Sequence, residues 1–454
     1  MIMMKWLTTL LCIFMCSLDG ISKTFHDSPH INLSKWFSEV GAKYVISHCH
    51  TFKDTLILPS DCELYFDGGS LSGPIVMNHT KLSGIVNLKG SSLNGKVDNK
   101  RFDASWLCFI DGVTDDAQNI NQMIDVCGNV FFPKGEYRLA SAYDPTGKVS
   151  KKLYKSIKSH IGICKSNVTL TGEKGTRFVT TDTLGTICAF SQPYKIDKSI
   201  SNILIKNISF NVHNDGVHFH EQLHTIKTIG VNGITIEECS FIDFWGDAIC
   251  LSHYGDNPRT GERTRNQNVR IRNNMIIGGI HHNNRNGISV ISGKNVLVNN
   301  NVIKNTSRRD MPGGIDVEPN NSAFTMENIR IENNYLEGIT GSGGAINLFI
   351  GIKKASAHHI EILSNKIKSC SRGIRIVIKT KATTDNIILK DNHVHADTDP
   401  YLFRGRGISK DWIIEGNAFD KPCQQKIPGE IIIENLKISS NRNGNRTYNN
   451  YPHV

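Results

Sequence analysis

Two carboxylates, Asp316 and Glu318, stand two positions apart in residues 313–321, which read GGIDVEPNN. The apolar alternation around them is typical of a β-strand, so both side chains would point to the same face, about 6.7 Å apart along the strand. Paired carboxylates at such a distance let glycosidases protonate a leaving oxygen and activate water. The pair therefore predicts general acid/base catalysis, although two solvated surface acids would give the same pattern.

Similar alternations before and after this segment can be aligned by their inward residues. Side chains between the inward residues then form two outward columns: His218, Cys250, Ser289, Asp316, Asn347 and Arg375 in one, and His220, Ser252, Ile291, Glu318, Phe349 and Val377 in the other. Apolar neighbours would favour the protonated form of Glu318, whereas Ser289 and Asn347 could donate hydrogen bonds to Asp316 and keep it ionised. We therefore expect Glu318 to be the acid and Asp316 the base.

Further polar residues near these columns complete the predicted site. Asp247, in GDAICLSHYGD, is a third catalytic candidate, and Asp215 ranks beside it; for both, the alternative is a turn-forming aspartate. Arginine offers a fork of donors that fits carboxylate and sulfate groups. The predicted substrate-binding residues are His218, His220, Arg285, Asn347, Phe349, Arg375 and Lys379.

One phrase recurs through the chain from residue 160 onward: an Asn, an alternating strand, a turn and a second strand. Examples are NILIKNISF at 202, NVRIRNNMI at 268, NIRIENNYL at 328 and NIILKDNHV at 386. Each such strand can bury one side only by stacking on the coils above and below it. The repeat predicts an all-β chain that forms a right-handed parallel β-helix, with corner Asn residues hydrogen-bonded along the axis.

A different pattern precedes the repeat. Ile120, Met123, Ile124 and Cys127 fall at helical spacing, with Thr114 placed to cap and two aspartates, 115 and 116, in the first turn. We expect a short helix here that covers the N-terminal end of the solenoid, because an open sheet edge must be protected.

This segment, WLCFIDGVTDDAQNINQMID…GNVFFPKGEYRL (106–139), resembles the opening of the pectate-lyase-like β-helix superfamily, which includes rhamnogalacturonase- and epimerase-like proteins. The preceding residues 55–84 look like the N-terminal coils of secreted proteins of gut Bacteroidetes. The resemblance implies a right-handed parallel β-helix that acts on or binds glycans. The fold hosts hydrolases, lyases, epimerases and non-catalytic binders.

The polygalacturonase-type members of that superfamily carry the motifs N-T-D, G-D-D, G-H-G and R-I-K in this order. The chain has NDG (214–216), GDA (246–248), NGISVIS (286–292) and RIVIKT (375–380). Asp247 matches the first Asp of the second motif. Ala248 and Asn286 stand where that family has Asp and His.

Composition limits the partners. The chain has 52 Lys+Arg against 42 Asp+Glu, a net charge of +10, which permits an acidic polymer as substrate. No dense basic block or recognition motif points to nucleic acid. Twelve cysteines include no C-x-x-C pair, so we expect no metal site, and the sequence cannot pair disulfides.

The N-terminus reads as an export signal, with a charge at Lys5 and an apolar run from Trp6 to Met15 that is too short to span a membrane. Cys16 follows Met15, which fits a lipoprotein site poorly. We expect the mature chain to be secreted, periplasmic or on the cell surface. The predicted divisions are a signal at 1–20, N-terminal β-rich coils at 21–105, the β-helix at 106–440 and a tail at 441–454.

The sequence thus favours a secreted carbohydrate-active enzyme, a glycoside hydrolase that needs no cofactor. One alternative is a polysaccharide lyase on a uronate polymer, with Arg375, Lys379 or a histidine as base and Ca²⁺ as a conceivable cofactor. The other is a non-catalytic glycan-binding β-helix.

Overall fold

The computed structural model describes residues 23–144, 158–180, 184–191, 199–213, 220–253, 265–279, 283–308, 310, 312–321, 325–352, 354–420, 432–443 and 446–448. It has two compact units, residues 1–100 with 125–127, and residues 101–124 with 128–454.

The first unit is built of short parallel strands around Tyr44. That ring is fully buried, and Phe25, Trp36 and Phe37 lie 4.7–5.3 Å from it, centroid to centroid. A one-turn helix spans Leu33–Trp36. The strands are Thr24–His26, Lys43–Ile46, Cys49–Thr51, Leu56–Ile57, Glu63–Phe66, Ser70–Ser72, Pro74–Gly84 and Ser92–Val97.

The second unit winds through three long sheets, here called A, B and C, and most coils contribute one strand to each sheet in that order. Sheet A contains Phe102–Asp103, Asn129–Phe132, Val168–Gly172, Ile200–Lys206, Val231–Glu237, Asn266–Arg272, Gly293–Asn299, Thr325–Glu332, Ser356–Leu363, Thr383–Lys390, Ile408–Glu415 and Ile432–Ser439. Sheet B contains Asp111–Asp115, Gly135–Arg138, Thr176–Val179, Ser209–Asn211, Ser240–Ile242, Met275–Ile277, Val302–Lys304, Tyr335–Glu337, Lys366–Cys370, His393–Ala396, Ala418–Phe419, Asn441–Asn443 and Arg446–Tyr448.

Sheet C carries the candidate site and contains Ser159–Ile163, Gly185–Phe190, Ile226–Ile229, Ile249–Ser252, Ile288–Val290, Gly313–Val317, Gly344–Ile350, Ile374–Ile378 and Tyr401–Gly405. Neighbouring strands of this sheet are parallel. Together, the stacked coils confirm the predicted all-β chain and its parallel β-helix.

Buried asparagines form a ladder at the corner between sheets A and B. Asn301 donates its Nδ2 to Oδ1 of Asn334 across 3.0 Å, and Asn334 donates likewise to Asn365. Each Nδ2 also reaches a backbone carbonyl of the preceding coil, as Asn334 does to Val298. The ladder satisfies the polar groups of a buried corner, as the sequence repeat predicts.

The predicted helix spans Ala117–Val126, and Ile120, Met123 and Ile124 are buried. Its start differs from the prediction, because Thr114 lies in the preceding strand and bonds to Asp111. The carboxylate of Asp115 instead accepts the N–H of Ala117 at 3.1 Å. Asn121 joins this helix to the first strand of sheet C, through bonds to His160 and Gly162.

Strand pairing at the C-terminal end extends beyond the predicted boundary at residue 440. Asn441 continues the asparagine ladder, accepting a bond of 2.9 Å from Asn417, and its strand pairs with Arg446–Tyr448. Among the residues that the structure describes, no helix has the length and apolarity to cross a bilayer.

Candidate active site

Strand pairing in sheet C brings most of the first predicted column together. Cys250 pairs with Ser289, Ser289 with Asp316, Asp316 with Asn347 and Asn347 with Arg375. The alternation of buried Ile and Val or Leu residues fixes this register, because a slip by one position would turn every apolar side chain outward.

A lysine, rather than the predicted histidine, stands beside Cys250 at the head of the first column. On the side away from Ser289, the strand Ile249–Ser252 pairs with Ile226–Ile229, and this pairing places Lys227 beside Cys250. His218 lies outside the described residues, as does Asp215. His220 packs instead on Trp245, with ring centroids 5.0 Å apart.

Asp316 is fully buried and is held between two amides. Asn347 donates its Nδ2 to Oδ1 of Asp316 at 2.6 Å, and Asn286 approaches Oδ2 at 3.4 Å. Arg375 donates its Nη1 to Oδ1 of Asn347 at 2.8 Å, which fixes the direction in which the Asn347 amide points. A chain of hydrogen bonds thus runs along the column from Arg375 to Asp316.

The pKa of Asp316 is raised well above its ordinary value. Burial is the largest cause, and the charge of Glu318 and a hydrogen bond with it add to the effect, outweighing the contributions of Asn347 and Arg285. This direction is opposite to the one that the neighbours of Asp316 predict, since two amide donors do not offset complete burial beside a second carboxylate. Glu318 itself is only partly buried.

Asp247 has the opposite environment. It lies before the strand Ile249–Ser252 and is fully buried. Its Oδ1 accepts the backbone N–H of Asn286 at 3.1 Å. Its Oδ2 lies 3.6 Å from Nη1 of Arg285 and 3.2 Å from Nδ1 of His224. Burial alone would raise the pKa of Asp247, but the charge of Arg285, together with a smaller contribution from His224, outweighs it and lowers the pKa. Asp247 is thus held as a carboxylate.

Arg285, predicted to bind substrate, is committed to carboxylates of the protein. Its Nη1 faces Asp247, and its Nε lies 3.7 Å from Oε1 of Glu221. Burial would lower the pKa of Arg285, but Asp247 and Asp316 raise it. The guanidinium therefore stabilises the charge of Asp247 rather than facing open solvent.

Asn286 links the two aspartates, a role that the sequence did not reveal. Its backbone N–H reaches Asp247, while its side-chain Nδ2 donates to Ser289 at 2.8 Å and approaches Asp316. Its Oδ1 accepts the N–H of Gly313 at 2.8 Å. Asn286 therefore contacts both carboxylates, Asp247 through its backbone N–H and Asp316 through its side-chain amide.

His224, Asp247 and Cys250 are residues of metal-binding type whose ligand atoms lie within 4.8 Å of one another. One observation disfavours a metal ion between them: Arg285 already places a positive charge beside Asp247. His224 was missed by the sequence reasoning, because nothing in its local sequence distinguishes it from a core histidine.

A groove of about 530 Å³ continues along sheet C from the acids. The guanidinium carbon of Arg375 lies 5.3 Å and Nζ of Lys379 5.5 Å from the centroid of the Phe349 ring. The lining consists of Phe349, Arg375, Val377, Lys379, Thr380, Arg404, Gly405 and Arg406.

No protein-family model and no curated protein matches the chain. Among solved structures, the tailspike protein of Acinetobacter baumannii phage AM24 is similar at a TM-score of 0.51 and 12% identity, over 76% of this chain and 55% of that one. An exopolygalacturonase from Thermotoga maritima gives 0.48 and 12%, over 77% and 93%. The Streptococcus pneumoniae surface protein and adhesin PfbA gives 0.46 and 15%, over 75% and 91%. These similarities concern the fold, a right-handed parallel β-helix.

Proposed function

We propose that this right-handed parallel β-helix is a carbohydrate-active enzyme, and specifically a glycoside hydrolase. One observation carries the proposal: the pKa of Asp316 is raised and that of Asp247 is lowered within a single hydrogen-bonded cluster. Two carboxyl groups whose environments push their pKa values apart are the usual basis of an acid/base pair.

The acid of this pair acts through Glu318. In this scheme Asp316, which is buried and has a raised pKa, holds a proton that it passes to Glu318, the partly exposed member of the pair. As the glycosidic C–O bond breaks, Glu318 delivers a proton to the leaving oxygen and Asp316 replaces it. This assignment keeps both predicted acids and reverses the expected ionisation of Asp316.

Asp247 is the base in this scheme. Its Oδ2 lies at ion-pair distance from Nη1 of Arg285 and Nδ1 of His224, and among the described residues it accepts no further hydrogen bond. A water molecule that donates to this oxygen would lose its proton to Asp247 as it attacks the anomeric carbon. The proton given to the leaving group and the proton taken from water balance over one turnover.

A glycan panel tests this function when reducing ends and ultraviolet absorbance are recorded together on the full-length protein. Hydrolysis raises the number of reducing ends and leaves the absorbance unchanged. The matched control is the double variant Asp316→Asn/Glu318→Gln, which should release no reducing ends. If neither signal appears with any glycan that binds, the protein is a glycan-binding β-helix and the hydrolase proposal is wrong.

A polysaccharide lyase is the second candidate, and one observation favours it. Burial, together with the charges of Arg372 and Arg404, lowers the pKa of Arg375, which moves this residue towards the role of a base. Elimination would create a conjugated double bond and raise both signals. A Ca²⁺ requirement would accompany this alternative and not the hydrolase.

A further inference from the structure

The groove beside the acids is a direct continuation of their ladder. Val317 pairs with Leu348 on the neighbouring strand. Glu318 and Phe349 directly follow these two residues and therefore occupy matching positions. Phe349 pairs with Val377, and Val377 pairs with Arg404. A chain that occupies the groove would therefore run along the solenoid axis towards Glu318.

Positive charge in this groove is not neutralised by the protein. Four cations line it, and no acidic residue does. Elsewhere in the second unit, outward lysines face glutamates on the next coil, as Lys304 faces Glu337 at 2.8 Å and Lys390 faces Glu415 at 3.2 Å. No described carboxylate lies within ion-pair distance of the groove cations: Arg375, Lys379, Arg404 and Arg406.

Crowding of these cations has an electrostatic cost. Arg375 is largely enclosed, and burial and the like charges of Arg372 and Arg404 lower its pKa, which the charges of Asp316 and Glu318 offset only in part. Uncompensated charges of one sign destabilise one another unless an anion is bound between them. Such an arrangement is typical of a site whose counter-charge is supplied by a ligand.

Phe349 narrows the kind of anion that fits. Its ring forms an apolar wall within the cationic groove, and Arg375 and Lys379 lie against it. A compact inorganic anion would leave this wall unused. A pyranose ring that bears an acidic group offers an apolar face for the aromatic ring and an anion for the arginine forks.

We propose that this groove binds the acidic units of an anionic glycan, pyranose residues that carry a carboxylate or a sulfate group. The proposal names the substrate class of the proposed function and rests on it only for the position of cleavage. With adjacent coils about 4.8 Å apart, the Arg375 strand lies about 9.6 Å from the Asp316 strand. Binding in the groove would thus place a neighbouring sugar unit near the acids.

Calorimetric titration of the full chain tests binding apart from cleavage, with Asp316→Asn/Glu318→Gln as the host. The probes are hexagalacturonate and the same oligosaccharide with its carboxyl groups reduced, and a chondroitin sulfate hexasaccharide and its desulfated form. We expect one acidic probe to bind and its matched lower-charge form to bind at least tenfold more weakly. The pair that shows this difference identifies the carboxylate or the sulfate as the recognised group.

Variants locate the binding to the groove. Arg404 and Arg406 are exposed, so Arg404→Ala and Arg406→Ala should fold normally, and each should weaken binding roughly 10- to 100-fold, because each removes a charge-assisted contact. Arg404→Lys should retain part of the affinity. Arg270→Ala, which removes an exposed arginine of sheet A, is the charge-matched control and should leave the affinity unchanged.

Three results would overturn the inference: equal binding of the two members within both probe pairs, equal binding of polyglutamate of similar charge, or unchanged affinity in Arg404→Ala and Arg406→Ala. Failure of the hydrolase proposal looks different. In that case an acidic probe binds in a manner that depends on Arg404, and the wild-type protein releases no reducing ends from it. Cleavage of neutral glycans alone, without affinity for acidic ones, would support the hydrolase proposal and contradict the proposal that the groove binds acidic units.

Discussion

Asn347 donates a hydrogen bond of 2.6 Å to Asp316 from the neighbouring coil, and this bond favours the ionised form of an otherwise buried carboxyl group. Burial and Glu318 act in the opposite direction and prevail, so the pKa of Asp316 is raised. The balance makes Asn347 a positioning residue that sets how firmly Asp316 holds its proton. Its effect can be measured without any change to the acids themselves.

Asn347→Ala should move the alkaline limb of the pH–activity profile to higher pH. Loss of the donor raises the pKa of Asp316 further, and an acid that works in its protonated form stays active until the pH passes that pKa. Ser289→Ala, in the same column on the other side of Asp316, is the control and should shift the limb less. An unchanged or lower limb in Asn347→Ala would contradict the role of Asp316 as proton holder.

The column that holds Asp316 could be predicted because its inward neighbours are unambiguous. Ile288, Ile315, Ile346 and Ile374 repeat at matching positions and fix the register of the outward residues between them. At the head of the column the sequence offers two similar alternations, VHF at 217–219 and IKTI at 226–229, and the prediction chose the wrong one. The pattern alone does not decide which of two similar apolar alternations forms the strand.

The direction of the pKa shift of Asp316 could not be predicted from the sequence, for a different reason. The neighbours of Asp316 in its column are polar, but the pKa of its carboxyl group depends on how deeply that group is buried and on charged residues of other coils. Arg285 and Asn286 belong to a segment before its strand, and only the folded chain brings them to Asp247 and Asp316. These long-range contacts leave no local sequence signal.

Arg285→Gln should destabilise the protein by about 3–5 kcal/mol at neutral pH, because it leaves Asp247 buried with little positive charge beside it. The pKa of Asp247 is lower in the folded than in the unfolded chain, so its ion pair stabilises the fold at a pH above the pKa of the unfolded state. This contribution is lost as the pH falls through the pKa of the folded state. The difference in free energy of unfolding between wild type and variant should therefore shrink in acid. Glu221→Gln, at the exposed end of the same guanidinium, should cost at most about 1 kcal/mol.

Asn334→Ala should cost about 2–4 kcal/mol, since it removes a buried side chain that bonds to Asn301, Asn365 and the carbonyl of Val298 and leaves their groups unsatisfied. Denaturant unfolding measures the change. The control is Asn328→Gly, which removes an exposed asparagine bonded to Asn295 and keeps the backbone at its φ of 55°. Equal losses in the two variants would show that the buried ladder adds no more than the exposed one.

Mature protein from its native host should begin after Cys16 or within a few residues of Gly20, because the charged and apolar run at Lys5 to Met15 is typical of an export signal. Mass spectrometry of the N-terminal peptide from fractionated cells measures this. Substitution of Cys16 by Ser should leave the cleavage unchanged if the chain is not a lipoprotein. An intact Met1 on cytoplasmic protein would contradict export and, with it, an extracellular glycan as substrate.

Glu318→Gln should lose roughly 100- to 10,000-fold in turnover and still bind substrate, since the shape is kept and only the transferable proton is gone. Asp316→Asn should be comparably damaging, and the double variant little worse than either single one, because the two groups share one proton and act as a unit.

A stability measurement separates this role from a structural one. Burial raises the pKa of Asp316, so the wild type loses stability as the pH rises above the unfolded pKa, and Asp316→Asn should remove that loss. Thermal unfolding of Asp316→Asn should then match the wild type near pH 4 and occur at higher temperature at pH 7. If both single variants keep wild-type turnover on an identified substrate, the acid pair is assigned wrongly, and Asp215 and Asp247 become the carboxylates to substitute.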